Sequence, residues 1–325
     1  MKPYLSFVLA GRNDNYGGNF LHRMQVFVTA LLALRDKYNL SSELIIVEWN
    51  PPEERPRLKE AIRWPKNLDP GSVRIIQVSK NIHQQFPNST RIPMFEYIAK
   101  NVGIRRAYGE FVLTTNQDIL FNDDTIRFFA SRKLQGGCFY RIDRCDIEGE
   151  VSAQAMIDEQ LRFCQRHTKR VNTLGHTIDL NSQLPFHLAL WLARREAAKR
   201  RKRARSQGQF RPEDDLHTNA AGDFMLMHKQ DWHQIRGNVE LPGAYHLDSY
   251  LCCIAASFGL RQVILGGKKC IFHQEHPYMR DPEQEAQQYH LWVKDCNEMP
   301  SKDHPLITNR MDWGLSNEEL EEVAV

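Results

Sequence analysis

The chain has 325 residues, 42% hydrophobic and 26% charged, with a formal net charge of +3. These proportions exclude a disordered or fibrous chain, and the length suffices for two domains or one large α/β domain with a sizeable core. No apolar run approaches the roughly 20 residues that cross a bilayer, and the opening LSFVLA is too short for a signal-peptide core. Seven scattered cysteines without a CxxC pair resemble neither a disulfide framework nor a zinc site. The adjacent Cys252 and Cys253 fall in an apolar segment and read as free buried thiols, which points to a reducing, cytoplasmic setting.

Residues 4–10 form a β-rich run that breaks into GRNDNYGGN, a polar loop with three glycines. Residues 19–38 read as a helix with Phe20, Met24, Phe27, Leu31 and Leu34 on one stripe. A second strand, 43–48, is stopped by Trp49, Asn50 and the helix-hostile pair Pro51 and Pro52. A short helix at 57–62 and a third strand at 73–78 follow. Strands alternating with helices predict a mostly parallel sheet covered by helices on both faces.

Residues 98–121, IAKNVGIRRAYGEFVLTTNQDILF, predict a helix, a tight turn at Gly109 and a buried strand over 110–115. That strand ends in Asn116, Gln117 and Asp118, where an open α/β sheet gathers its ligands. A helix from about 124 to 134, capped by Asn122 or Asp123, and a weakly alternating strand at 139–147 come next. Residues 148–184 yield helical fragments but no topology.

From residue 186, FHLALWLA runs into RREAAKRRKRAR, all good helix-forming material, with eight Lys or Arg against one Glu between 194 and 205. The basic run admits a solvated helical face, or attachment to an anionic membrane surface with the apolar part of 186–205 inserting. Nucleic-acid binding lacks the aromatic interleaving and motifs that would accompany it. Further on, the apolar run 224–227 follows a polar turn, a helix spans 246 or 248 to 258, and strands occupy 262–265 and 269–272. The last strand ends at FHQEH. A polar helix is predicted over 282–299, and the acidic residues 318–322 are expected to be solvated.

The stretch AKNVGIRRAYGEFVLTTNQD resembles the nucleotide-binding half of family 2 and related GT-A glycosyltransferases, where a helix like ArNxGxxxAxGeyi leads into an acidic DxD motif. The polar strand ends also come in the order of that fold. The resemblance implies that Ala10, Gly11, Arg12 and Asp14, with Glu48 and Asn50, hold the nucleoside, Glu48 lying against the base. Asn101, matching the Asn of ArN, would support the loop near the diphosphate. Asn116 and Gln117 would face the diphosphate and Asp118 a divalent cation, Mn²⁺ or Mg²⁺. FHQEH is similar to the yHxxH element that closes such metal sites, which nominates His273 or His276 as a second ligand. GDF followed by HLD resembles the strand and helix start that present the catalytic base. That implies Asp248 as the group taking the acceptor proton, with Asp223, His217 and Asn219 lining the sugar pocket. Taken singly, each of these residues also suits a cap, a buried turn or a packed histidine.

The resemblance implies a single GT-A domain over 1–280, with a nucleotide-sugar half, 1–121, and an acceptor half, 122–280, followed by a C-terminal helix and tail. The implied activity is metal-dependent, inverting transfer from a nucleotide-diphosphate sugar to a hydroxyl of a glycan, polysaccharide or glycolipid. Alternatives are a retaining transferase, or a degenerate domain that binds nucleotide sugar or glycan without turnover. Two departures matter: Asn116 stands at the first Asp of DxD, and Leu247-Asp248 replaces an acidic pair. The first removes a negative charge from the metal site, and the second leaves the base on one residue.

Overall fold

The computed structural model describes residues 2–181, 183–208, 215–241, 246–277 and 305–325. The first half contains β1 (Leu5–Gly11), α1 (Phe20–Lys37), β2 (Ser42–Trp49), α2 (Leu58–Ala61), β3 (Val73–Val78), α3 (Lys80–His83), α4 (Glu96–Arg106), β4 (Phe111–Thr114), β5 (Ile119–Phe121) and α5 (Asp123–Ala130). Then come β6 (Cys138–Ile142), β7 (Arg144–Ile147), α6 (Ile157–Arg166), β8 (Thr168–Thr173), β9 (His176–Asp179) and α7 (Phe186–Ser206). The remainder holds β10 (Met225–His228), α8 (Lys229–Gln234), α9 (Leu247–Ser257), β11 (Arg261–Leu265), β12 (Ile271–Gln274) and β13 (Glu321–Ala324).

β1 is buried at all seven positions, as a central parallel strand covered on both faces must be. Its side chains alternate between two cores: Phe7 and Leu9 face α1 and α5, while Val8 and Ala10 face α4 and α9. The large sheet has the order β11-β6-β10-β4-β1-β2-β3-β13. β3, β2, β1 and β4 are mutually parallel, and β10 enters antiparallel between β4 and β6. The expected α/β sheet with helices on both faces is therefore present. Gly103 lets α4 lie against it, since a Cβ there would come within 2.4 Å of Val8 Cγ1 and 3.3 Å of Val47 Cγ2.

A second sheet, β5-β12-β7-β8-β9, was not legible in the sequence. The weak strand at 139–147 is in fact two: β6 belongs to the large sheet, β7 to the small one, and the chain changes sheets at Asp143. The stretch 148–184 supplies α6, β8 and β9. Asn122, rather than Asp123, caps α5, accepting a hydrogen bond from Thr125 N.

Three further readings need revision. The acidic tail is exposed at Glu319, Glu321 and Glu322 as expected, but it is also structured, because β13 pairs antiparallel with β3 and Glu322 takes two hydrogen bonds from the buried Arg74 guanidinium. Cys252 is a free buried thiol, but Cys253 is disulfide-bonded, so the cysteines no longer argue for a reducing setting. The basic run does form one helix, α7, yet its first cation, Arg194, is turned inward onto Asp143 and the carbonyls of Gly267 and Lys269. The helix predicted over 282–299 lies outside the described residues.

Candidate active site

Parallel pairing of β1, β2 and β4 brings their carboxyl ends to one edge of the large sheet. The first two loops are tied together there. Arg12 Nε donates to Asn50 O at 2.8 Å, and Arg12 Nη1 meets Asp14 Oδ2 at 2.6 Å. Ala10 and Gly11 close β1 beneath them, both buried.

After β4 the chain runs through Asn116, Gln117 and Asp118 into β5, which joins the small sheet beside β12. The antiparallel register pairs Ile119 with His273, which sets β12 and its following turn against Asp118. His276 Nε2 lies 3.1 Å and His273 Nε2 3.9 Å from Asp118 Oδ2. One ligand atom from each of the three residues can be chosen so that all lie within 4.8 Å of one another. The first loop reaches this cluster too. Gly17 packs so close to His276 that a Cβ would fall 2.3 Å from its Nδ1, and Arg23, anchored on the carbonyls of Tyr16, Gly17 and Gly18, stands 4.0 Å from Asp118 Oδ2.

The charge state of the cluster follows from these neighbours. Burial alone would raise the Asp118 carboxyl, but the His276 hydrogen bond and the charges of His273, His276 and Arg23 hold it below its ordinary range. Burial works to lower His273, and contacts with Asp146 and Asp118 outweigh it and raise the imidazole above its ordinary value.

These residues fit a divalent cation. Among the described residues, nothing hydrogen-bonds the buried Asp118 Oδ1. The Nδ1 of His276 faces a carbonyl, Pro277 O, at 2.9 Å. A carbonyl only accepts, so Nδ1 carries a proton, and Nε2 is the ring atom aimed at Asp118 Oδ2. One carboxylate and two imidazoles within reach of one point could hold such a cation, and carboxylate with imidazole suits Mn²⁺ somewhat better than Mg²⁺.

β10 runs antiparallel to β4 with Met225 opposite Thr114, and this places Asp223 beside the NQD turn. Asn116 Nδ2 donates to Asp223 Oδ1 at 2.7 Å, and Arg144 Nη1 donates to Asp223 Oδ2 at 2.6 Å. The fully buried Lys100 then donates to Asn116 Oδ1 at 2.6 Å and to Gly222 O at 2.9 Å. Gly222 N in turn donates to Asp248 Oδ2 at 2.7 Å, while Asp248 Oδ1 accepts from Ser249 N. A continuous polar chain thus links Asp248 at the start of α9, Asp223 and Asn116. Each Asp248 oxygen has two lone pairs, one of which remains beyond the backbone hydrogen bonds.

Other candidates lie outside this chain of contacts. Glu48 is fully buried, accepts from Leu58 N at 2.7 Å, and has its carboxyl raised by burial. Asn101 is spent on Asn238 and Glu240, tying α4 to 237–240. Gln117 is buried between its neighbours in the turn. His217 is wholly buried with Nε2 3.0 Å from Asp143 Oδ1, and burial lowers its pKa. Arg141, also buried, holds the carbonyls of His217 and Asn219, so it shapes the turn that carries Asp223. The Asn219 side chain reaches Thr177 Oγ1 in β9 at 3.3 Å.

Sequence reasoning missed Lys100, Arg144 and Asp146. The period-2 spacing of Arg144 and Asp146 put both on one face of a strand, a signal that the sheet change at Asp143 obscured.

No family model and no curated protein matches the chain. Among solved structures, S. aureus TarS 1-349 is similar at 14% identity over 90% of this chain and 65% of that one, with a TM-score of 0.48. The structure of S. aureus TarS 1-349 in complex with UDP-GlcNAc gives 14% identity, coverages of 90% and 66%, and a TM-score of 0.45. A longer S. aureus TarS structure gives 14%, 91% and 39%, and 0.41. The chain therefore spans less than two thirds of the length of these structures, and a likeness of this degree assigns no activity.

Proposed function

We propose that the chain is a glycosyltransferase that moves a sugar from a nucleotide-diphosphate donor to a hydroxyl acceptor with a divalent cation bound. The observation that carries this reading is the convergence of Asp118 with His273 and His276 from a second segment, next to a turn whose Asn116 binds Asp223 and whose hydrogen-bond chain runs on through Lys100 and Gly222 to Asp248. When bound, the cation neutralises charge developing on a departing diphosphate. Asp118, His273 and His276 hold it, and Arg23 supplies a further positive charge 4.0 Å from Asp118. Arg12 and Asp14, cross-linked to Asn50, present a polar rim for the nucleoside. Asp248 uses its remaining lone pairs to take the acceptor proton as the hydroxyl attacks, which gives inversion by direct displacement. Asp223, gripped by Asn116 and Arg144, orients the sugar.

Replacing Asp248 by Asn removes the base and leaves the Gly222 contact to an amide oxygen. Transfer should fall by at least about 100-fold, with donor binding retained. Full activity in Asp248→Asn sinks the base assignment. Absence of Mn²⁺-dependent nucleotide release from every UDP, GDP, CDP and dTDP sugar points instead to a binding module.

The surface of α7 supports a membrane setting for the acceptor. Ala189, Leu190, Ala193 and Ala197 are buried inward, whereas Leu188, Trp191 and Leu192 are 43%, 49% and 41% exposed beside Arg195, Lys199 and Lys202. Among the described residues, none of these three cations forms an ion pair with a carboxylate. Apolar groups followed along one helix by cations without carboxylate partners, Arg195 lying over the Trp191 ring, complement an anionic lipid surface. A glycolipid acceptor would meet the chain there. No described helix is long and apolar enough to cross a membrane.

A further inference from the structure

Behind the histidine pair lies a buried carboxylate that the reading above does not use. Asp146 is completely inaccessible, and the parallel register of β7 with β12 sets it directly beside His273. The antiparallel register with β8 sets Arg170 on its other flank. Asp146 Oδ2 accepts from Arg170 Nε at 2.7 Å and from Asn172 Nδ2 at 3.0 Å. Oδ1, which Arg144 Nε approaches to 2.8 Å, is the oxygen that faces the imidazole, 3.5 Å from His273 Nδ1. Among the described residues, His273 Nδ1 has no other partner, while Nε2 looks the opposite way towards Asp118 Oδ2.

The acceptor inventory then decides the tautomer. Both ring nitrogens face an ionised carboxylate, which can only accept. Asp146 Oδ1 at 3.5 Å from Nδ1 is nearer than Asp118 Oδ2 at 3.9 Å from Nε2, so the proton of a neutral ring falls on Nδ1 and its lone pair on Nε2. Contacts of this kind are commonly long before a ligand is bound and tighten afterwards. We infer that Asp146 is a positioning residue that holds His273 as the Nδ1–H tautomer and so presents Nε2 to the divalent cation. This rests on the metal reading above. Asp146 also steadies Arg144, which grips Asp223, and Arg170, which reaches Glu275 between the two histidines. A single buried carboxylate therefore sits behind both the metal ligands and the sugar pocket.

The test uses the full chain labelled with ¹⁵N-histidine, at pH 8 and without metal, with the His273 resonances identified by their loss in His273→Gln. The expected result is a proton on Nδ1 in the unaltered chain. In Asp146→Asn, Mn²⁺ affinity, read from the electron paramagnetic resonance of free Mn²⁺, should weaken roughly 10- to 100-fold. A merely structural carboxylate would leave the tautomer unchanged in that variant, whereas a positioning one lets the Nε2–H form appear. If the unaltered chain binds Mn²⁺ yet carries the proton on Nε2, or if folded Asp146→Asn binds Mn²⁺ equally well, the positioning role is overturned and the metal site stands. If the unaltered chain binds no Mn²⁺, the metal reading falls and takes this role with it. Should Asp146→Asn fail to fold, the tautomer in the unaltered chain decides.

Discussion

Asn116→Asp restores the acidic motif of the family that the chain resembles, and on charge alone it should strengthen the metal site. The structure predicts the reverse. Asn116 Nδ2 lies 2.7 Å from Asp223 Oδ1, so the substitution sets two carboxylate oxygens face to face. With both ionised, the repulsion at that distance is about 6 kcal/mol for an effective dielectric constant near 20. Retaining a proton on the introduced carboxyl is cheaper, costing about 4 kcal/mol at pH 7 and about 1.5 kcal/mol at pH 5 from an ordinary value near 3.9. Lys100 at 2.6 Å and Arg144 at 2.6 Å of the facing carboxylate offset part of this, leaving a loss of about 2 to 4 kcal/mol at neutral pH. The sign follows from linkage. A carboxyl raised in the folded state binds more protons there than in the unfolded chain, so the variant loses stability as pH climbs from about 4 towards the raised value. Urea unfolding of both chains at pH 5 and pH 7, alongside Mn²⁺ titration, measures it. Equal stability at both pH values with tighter Mn²⁺ binding would refute the arrangement of Lys100, Asn116 and Asp223 described above.

Two other outcomes follow. Burial holds the Glu48 carboxyl above its ordinary value, so its contribution to stability declines as pH rises past about 4.5 towards the raised folded value; Glu48→Gln should therefore gain on the parent chain between pH 5 and pH 8 in urea unfolding. A loss of donor affinity in Glu48→Gln with no such pH-dependent gain would return this residue to the nucleobase. Replacing Arg195, Lys199 and Lys202 together by Gln should weaken flotation with phosphatidylglycerol vesicles on the order of 100-fold, at about 1 kcal/mol per cation. Unchanged flotation, or equal binding to neutral vesicles, rules out the lipid face of α7.

The sequence determined the local terms. Apolar runs bounded by glycine, proline and polar clusters located β1 to β4 with α1, α2 and α4, though not the short α3, because burial on both faces imposes a continuous apolar run on each strand. The parallel sheet then followed from alternation, and with it the edge where Gly11 to Asp14, Glu48 to Asn50 and Asn116 to Asp118 collect. Only the tertiary structure decided which charges share that edge. Asp143 turns the chain out of one sheet into another, and nothing in its neighbours' periodicity marks the change. Lys100 is a buried ammonium on a helix, and a sequence reads such a residue as exposed because, beyond the local Glu96, the partners that offset its burial, Asn116 and Gly222, lie on distant segments. Arg144, Asp146 and Arg170 likewise take their meaning from strand register. Hydrophobic period reports whether a side chain faces inward, but pairing depends on which residue the neighbouring strand sets opposite it.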